Sequence, residues 1–327
     1  MTTSWTDAEG MLPRSCDWCP RACGANRAAG QRGVCGAGAQ VRVARSALHF
    51  WEEPPISGLA GSGTIFFSYC PLRCVYCQNR PIALGDAGAD VSLGRLVELM
   101  LEQQQLGALN VNMVTPTHYG PLIAAAVRQA RAQGLDLPVC WNTAGYETVA
   151  AIRGLRGVAD VFLTDFKYAD AEMARAFSHA ADYLQVALAA LDCMVELSGE
   201  PRYDSVPFRG EGGQVQMQQR MTRGVIVRHL LMPGHLDNSL AVVQLLQKRY
   251  GNAVRLSLMN QYTPVLGPDS PAAQAHPELL EHPSREDYEC LLDFADTIGV
   301  QDYFWQDGQA DEESFIPAFD LTGVMPE

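Results

Sequence analysis

The chain has 327 residues, 47% of them hydrophobic, which is enough for one large core. Its 37 acidic and 24 basic residues leave a net charge of −13, so a phosphate backbone or an anionic bilayer would be repelled, and neither nucleic acid nor membrane is an expected partner. No run approaches the ~20 apolar residues of a membrane span, and the opening MTTSWTDAEGMLPRSCDWC lacks the apolar stretch of a secretion signal, so a cytoplasmic chain with reduced thiols is expected.

In chain order, residues 1–60 are rich in Gly, Ala, Arg and Cys and show little apolar periodicity. So short a piece has little core of its own, and it reads as a small metal-stapled segment. Residues 61–305 then alternate strand-like and helical patterns. The strand-like runs are 64–68, 109–114, 137–142, 159–165, 224–231 and 253–259, with 301–305 as a further edge strand. Helical periodicity fills 92–106, 119–133, 146–154, 170–196, 238–250 and 285–298. Such alternation without hairpin signals predicts a parallel sheet with crossover helices, an α/β fold of the partial (β/α)6 TIM-barrel type. Residues 199–222 and 262–283 read as insertions, the first a mobile surface loop and the second a lid over the active face. Residues 306–327 form a C-terminal tail.

The cysteines carry the chemistry. Cys70, Cys74 and Cys77 have C-x3-C-x2-C spacing directly after the first strand, at the strand end where such sheets do their chemistry. Three thiolates can hold three irons of a [4Fe–4S] cube and leave the fourth open to an amino acid's amine and carboxylate. A zinc site would want a fourth ligand, and none is local. Cys16, Cys19, Cys23 and Cys35 supply four thiolates, which suits either a second [4Fe–4S] cluster or structural Zn²⁺, with Arg14, Arg21, Arg27 and Arg32 offsetting their charge. Cys140, Cys193 and Cys290 are isolated and read as buried small hydrophobes.

The segment GTIFFSYCPLRCVYCQN resembles the signature of radical S-adenosylmethionine (SAM) enzymes, in particular the branch related to pyruvate formate-lyase activating enzyme. VNMVTPTHY, VCWNTAGYE, DVFLTDFKYAD, VIVRHLLMPG and LSLMNQYTP resemble strand-end motifs of activating-enzyme-like proteins. The resemblance implies SAM bound at the open iron, reductive cleavage to a 5′-deoxyadenosyl radical, and a flavodoxin- or ferredoxin-type reductant. It implies an adenine contact at Tyr76 and a SAM-binding pair at Asp165 and Lys167. Thr115 and Thr117 stand where related enzymes carry Gly-Gly-Glu, so hydroxyls or carbonyls would take over there. Asn142 is a further candidate for SAM or substrate. Of Arg228 and His229, adjacent in one strand, only one can face inward, and His229 is the candidate for the ribose. The activating-enzyme resemblance implies hydrogen abstraction from a protein glycine. A small, cationic or amine substrate, including one that receives an aminocarboxypropyl group from SAM, and a non-enzymatic iron–sulfur protein are the alternatives.

Overall fold

The computed structural model describes residues 10–210, 212–306 and 316–325. Among the described residues, ten strands form a mixed α/β fold around one large, mostly parallel sheet. The strands are β1 (Val41–His49), β2 (Ser62–Phe67), β3 (Ala89–Val91), β4 (Val111–Val114), β5 (Val139–Thr143), β6 (Val161–Asp165), β7 (Arg202–Arg209), β8 (Val215–Leu230), β9 (Arg255–Met259) and β10 (Phe304–Trp305). Their spatial order is β10-β9-β8-β6-β5-β4-β2-β1-β3, with β7 paired to β8. From β2 through β10 along this order every pairing is parallel. β2 and β4 are buried at every position, as strands covered on both faces must be.

Helices α1 (Leu93–Gln105), α2 (Gly120–Ala132), α3 (Val149–Arg153), α4 (Ala171–Ser178), α5 (Tyr183–Ser198), α6 (Leu236–Tyr250) and α7 (Arg285–Thr297) connect the strands. The helix starts are set by local chemistry: the side chains of Ser92, Thr148, Asp170 and Ser284 each accept a hydrogen bond from the N–H three residues on. The expected 170–196 helix is two, because His179 takes a left-handed conformation (φ 53°) that ends α4. No described helix is long and apolar enough to cross a membrane.

Three expectations are corrected. The polar segment 199–222 is not a loop. It holds β7 and the first half of β8, paired antiparallel from Arg202–Arg223 to Arg209–Val215. Both faces of this hairpin are largely exposed, so its residues lack the apolar alternation by which strands are recognised. Gly224, at φ +122°, marks where β8 leaves β7 for β6 and β9; a Cβ there would stand 2.6 Å from Pro201 Cα. Second, residues 41–49 of the Cys-rich segment are strand β1, antiparallel to β2 and part of the main sheet. Third, Cys290 is exposed, unlike Cys140 and Cys193.

Residues 316–325 of the tail are tied to β1. The Leu321 N–H donates to Ala44 O, the Ser46 N–H donates to Thr322 O, and Val324 is fully buried. The segment 262–283 forms two helical turns, Pro271–Ala275 and Pro277–Leu280, and Tyr262 anchors it by donating to Leu279 O (2.7 Å).

Gly145 sits just past β5 at φ +75°, and a Cβ there would come within 2.3 Å of Asp165 O at the end of β6. Gly145→Ala therefore strains its own backbone and pushes β6 aside, with an expected loss of about 2 kcal/mol or more in urea unfolding. An unchanged midpoint would show that the close approach is not tight.

Candidate functional site

All seven parallel strands contribute to one cavity of about 360 Å³. Phe67 of β2, Val114 of β4 and Thr115 just after it, Asn142 and Thr143 of β5, Asp165 of β6, Arg228 and Leu230 of β8, Met259 of β9 and Trp305 of β10 line it. So do Cys70, Cys74, Tyr76 and Cys77 from the loop after β2. Parallel pairing puts all these strand ends on one side, which is why residues far apart in sequence meet here.

The cysteine loop is backbone-strained. Tyr69, before Cys70, has φ 75°, and Arg73, before Cys74, has φ 52°. Thr115 across the cavity, β-branched, has φ 60°. Such conformations cost roughly 1–3 kcal/mol each and persist where surrounding structure enforces them. Burial first, and then the neighbouring Cys74, push the Cys70 thiol up to about 11 and the Cys77 thiol up to about 12. Ser178 Oγ donates to Cys74 Sγ (2.9 Å), and behind it Tyr168 OH shares hydrogen bonds with Ser178 Oγ (2.6 Å) and Tyr76 OH (2.7 Å).

Lys167 Nζ meets Asp165 Oδ2 at 2.6 Å. Burial alone would lower the lysine's pKa, but Asp165 and Cys74 hold it well above its ordinary value, so it stays cationic. Tyr76, Thr115, Asn142, Asp165 and Lys167 are thus brought together with the cysteine triplet. Thr117 and His229 are not. Thr117 lies in the turn Thr117–Tyr119 behind Thr143, and its hydroxyl donates to Glu147 Oε1 (3.0 Å). Alternation along β8 turns Arg228 into the cavity and His229 out of it. His229 Nδ1 meets Phe166 O (2.7 Å) and Nε2 meets Ser239 Oγ of α6 (2.9 Å), so the imidazole is a buried strut.

Arg228 exposes what the sequence reading missed. Glu52 and Glu53, from the connection after β1, both close on its guanidinium. Glu53 Oε1 accepts from Nε at 2.7 Å, and Glu52 from Nη2 at very short range. Burial opposes ionisation of Glu53, but the Arg228 charge wins and holds its carboxyl below the usual range. Asn112 Nδ2 donates to Glu52 Oε1 (2.9 Å). The only signal in the sequence is two adjacent acids in WEEPP, which carry no periodicity that would mark them as buried. Glu147, also missed, is buried and accepts from Trp141 Nε1 (2.9 Å).

The N-terminal cysteines form a second group. Cys16, Cys19 and Cys35 are buried and Cys23 is partly so. Gly33 makes room for them: a Cβ there would be 3.2 Å from Cys23 Sγ and 3.4 Å from Cys35 Sγ. Burial and then the charges of Cys35, Cys16 and Cys23 push Cys19 up to about 12. Of the arginines expected to offset thiolate charge, two act as staples to backbone. Arg21 Nε donates to Pro71 O (2.9 Å) inside the triplet loop, and Arg27 Nη1 donates to His118 O (2.6 Å).

Among the described residues no three Cys, His, Asp or Glu side chains stand in a ready array for a metal ion. A cubane differs from a single ion in spreading its irons over separate corners, so its thiolates need not converge on one point. The donor set at Cys70, Cys74 and Cys77 fits such a cluster: three soft thiols, a hydroxyl donor on one of them, and a cation beside them.

No family model matches the chain. The chain is similar to an uncharacterized protein of Methanocaldococcus jannaschii, 26% identical over 297 residues, which span 88% of this chain and 76% of that protein. Among solved structures, a probable 2-pyrone-4,6-dicarboxylic acid hydrolase from Acinetobacter baumannii with citric acid bound aligns over 67% of this chain and 77% of its own, at 11% identity and a TM-score of 0.26. So low a score carries no argument about chemistry.

Two buried histidines set a pH dependence. Burial holds His118 down at about 3 and His229 at about 4, against an ordinary value near 6.5. The unfolded chain takes up these protons first. Stability is therefore complete above about pH 6.5 and falls on acidification, by up to about 1.4 kcal/mol per pH unit for each histidine. Urea unfolding between pH 7 and 5 should show this slope, and His118→Gln or His229→Gln should each flatten it. A slope that neither variant changes would contradict the assignment.

Proposed function

We propose that this chain is a radical SAM enzyme, its sheet the wall of a partial (β/α)6 barrel and the cavity its active site. The reading rests chiefly on one observation: three thiols on a strained loop share a cavity with a half-buried lysine–aspartate pair and polar strand ends. Cys70, Cys74 and Cys77 would hold a [4Fe–4S] cluster. When bound, the cluster and SAM supply reductive cleavage of a C–S bond and a 5′-deoxyadenosyl radical. The protein's share is positioning. Lys167, kept cationic, is suited to the carboxylate of an amino acid, and Asp165 to its amine. The Tyr76 ring offers an apolar wall, and Thr115 and Asn142 offer polar contacts at the neighbouring strand ends. The apolar lining from Phe67, Val114 and Leu230 excludes water from a reactive intermediate. Cys16, Cys19, Cys23 and Cys35 would hold a second cluster or Zn²⁺ in a segment stitched to the triplet loop by Arg21. A flavodoxin- or ferredoxin-type donor would supply the electron.

A second observation bears on the substrate. Hydrogen abstraction from a protein glycine needs no charged recognition, yet the cavity contains Glu52, Glu53 and Arg228. This favours a small-molecule substrate over a backbone glycine.

The test is anaerobic reconstitution, reduction and incubation with SAM. 5′-Deoxyadenosine is the expected product. Methylthioadenosine would point instead to aminocarboxypropyl transfer. Cys74→Ser should abolish turnover, and Lys167→Met should raise the KM for SAM by about tenfold or more. Absence of both products, with no change in the cluster's spectrum on adding SAM, overturns the proposal.

A further inference from the structure

We propose that the end of the cavity formed by Glu52, Glu53 and Arg228 binds an organic cation, an alkylammonium or guanidinium group of the substrate. The inference deepens the reading above by naming a substrate class, but it stands on the cavity alone.

Charge is the first argument. The ionised groups lining the cavity are three carboxylates, Glu52, Glu53 and Asp165, against two cations, Lys167 and Arg228, a formal charge of −1. Asp165 and Lys167 are satisfied by each other at 2.6 Å. The excess therefore lies with Glu52 and Glu53, which share one guanidinium and whose side chains are only 8% and 5% exposed. A buried unbalanced carboxylate is costly, and a ligand cation offsets that cost. A ligand carboxylate would put a third anion on Arg228.

Hydrogen bonding points the same way. Glu52 and Glu53 face the cavity with carboxylate oxygens, which when ionised only accept, and ammonium or guanidinium groups are donors only.

The third argument is aromatic. Trp305 lines the same cavity although 55% exposed. Tryptophan faces beside a carboxylate are suited to organic cations, which they attract through the ring quadrupole.

Ligand-observed NMR titrations of the full chain with n-butylammonium, butylguanidinium, butanol and butyrate test this. The two cations should bind about tenfold or more tightly than butanol or butyrate, and Glu52→Gln should remove about tenfold of that affinity. Glu53 still holds Arg228 in that variant. Should it nonetheless fail to fold, Trp305→Ala, altered at an exposed side chain, should weaken the cations several-fold and leave butanol unchanged. Equal binding of butanol or butyrate, or cation affinity indifferent to both substitutions, overturns the proposal. These titrations need neither cluster nor SAM. Cation binding without SAM cleavage would therefore sink only the radical SAM reading, and SAM cleavage without cation binding only this one.

Discussion

Parallel strand pairing is the constraint on which the rest of this structure depends. In the run from β2 to β10 every chain direction is the same, so each strand delivers its last residues to one side. The cysteine loop, Thr115, Asn142, Asp165 and Arg228 come from segments spread over more than 150 positions, and only this shared polarity brings them round one cavity. The core serves the same arrangement. β2 and β4, buried on both faces, fix the loop that carries Cys70, Cys74 and Cys77, and Arg21 fastens the N-terminal segment to it through Pro71.

The site divides into two halves with different electrostatics. Near the thiols, Lys167 and Asp165 neutralise each other, and hydroxyl donors run from Tyr76 through Tyr168 and Ser178 to Cys74. At the other end, two carboxylates compress one guanidinium, with Asn112 supporting Glu52. The acid end is buried and the thiol end partly so. The low local dielectric makes each pair stiff, and it makes any unmatched charge expensive.

Much of this was legible in the sequence because period and position carry physical meaning. Apolar runs separated by helical patterns gave β2, β4, β5, β6, β9 and the inner half of β8. The strand-end rule put Asp165 and Lys167 beside the triplet. The failures are equally physical. Residues 202–209 and 215–223 pair through their backbones while both faces largely meet solvent, so no apolar alternation marks them. Alternation stated that one of Arg228 and His229 faces inward but not which one, since that parity is set by the register with Asp165 and Ser257. Glu52 and Glu53 lie in an irregular connection, where no periodicity reports burial, and their role appears only once Arg228 is seen to face them.

β8 has a mechanical consequence. One continuous strand carries the exposed hairpin arm and, beyond Gly224, the segment that places Arg228 between two acids. The outer arm can grow or shrink at its turn without disturbing the interior. A single residue lost between Gly224 and Arg228 would bring the imidazole to face the two acids and turn the guanidinium away from them, and one added would set Val227 before the acids and force the arginine against α6. Length variation among chains built on this plan should accordingly gather at the hairpin tip and be absent from those five positions.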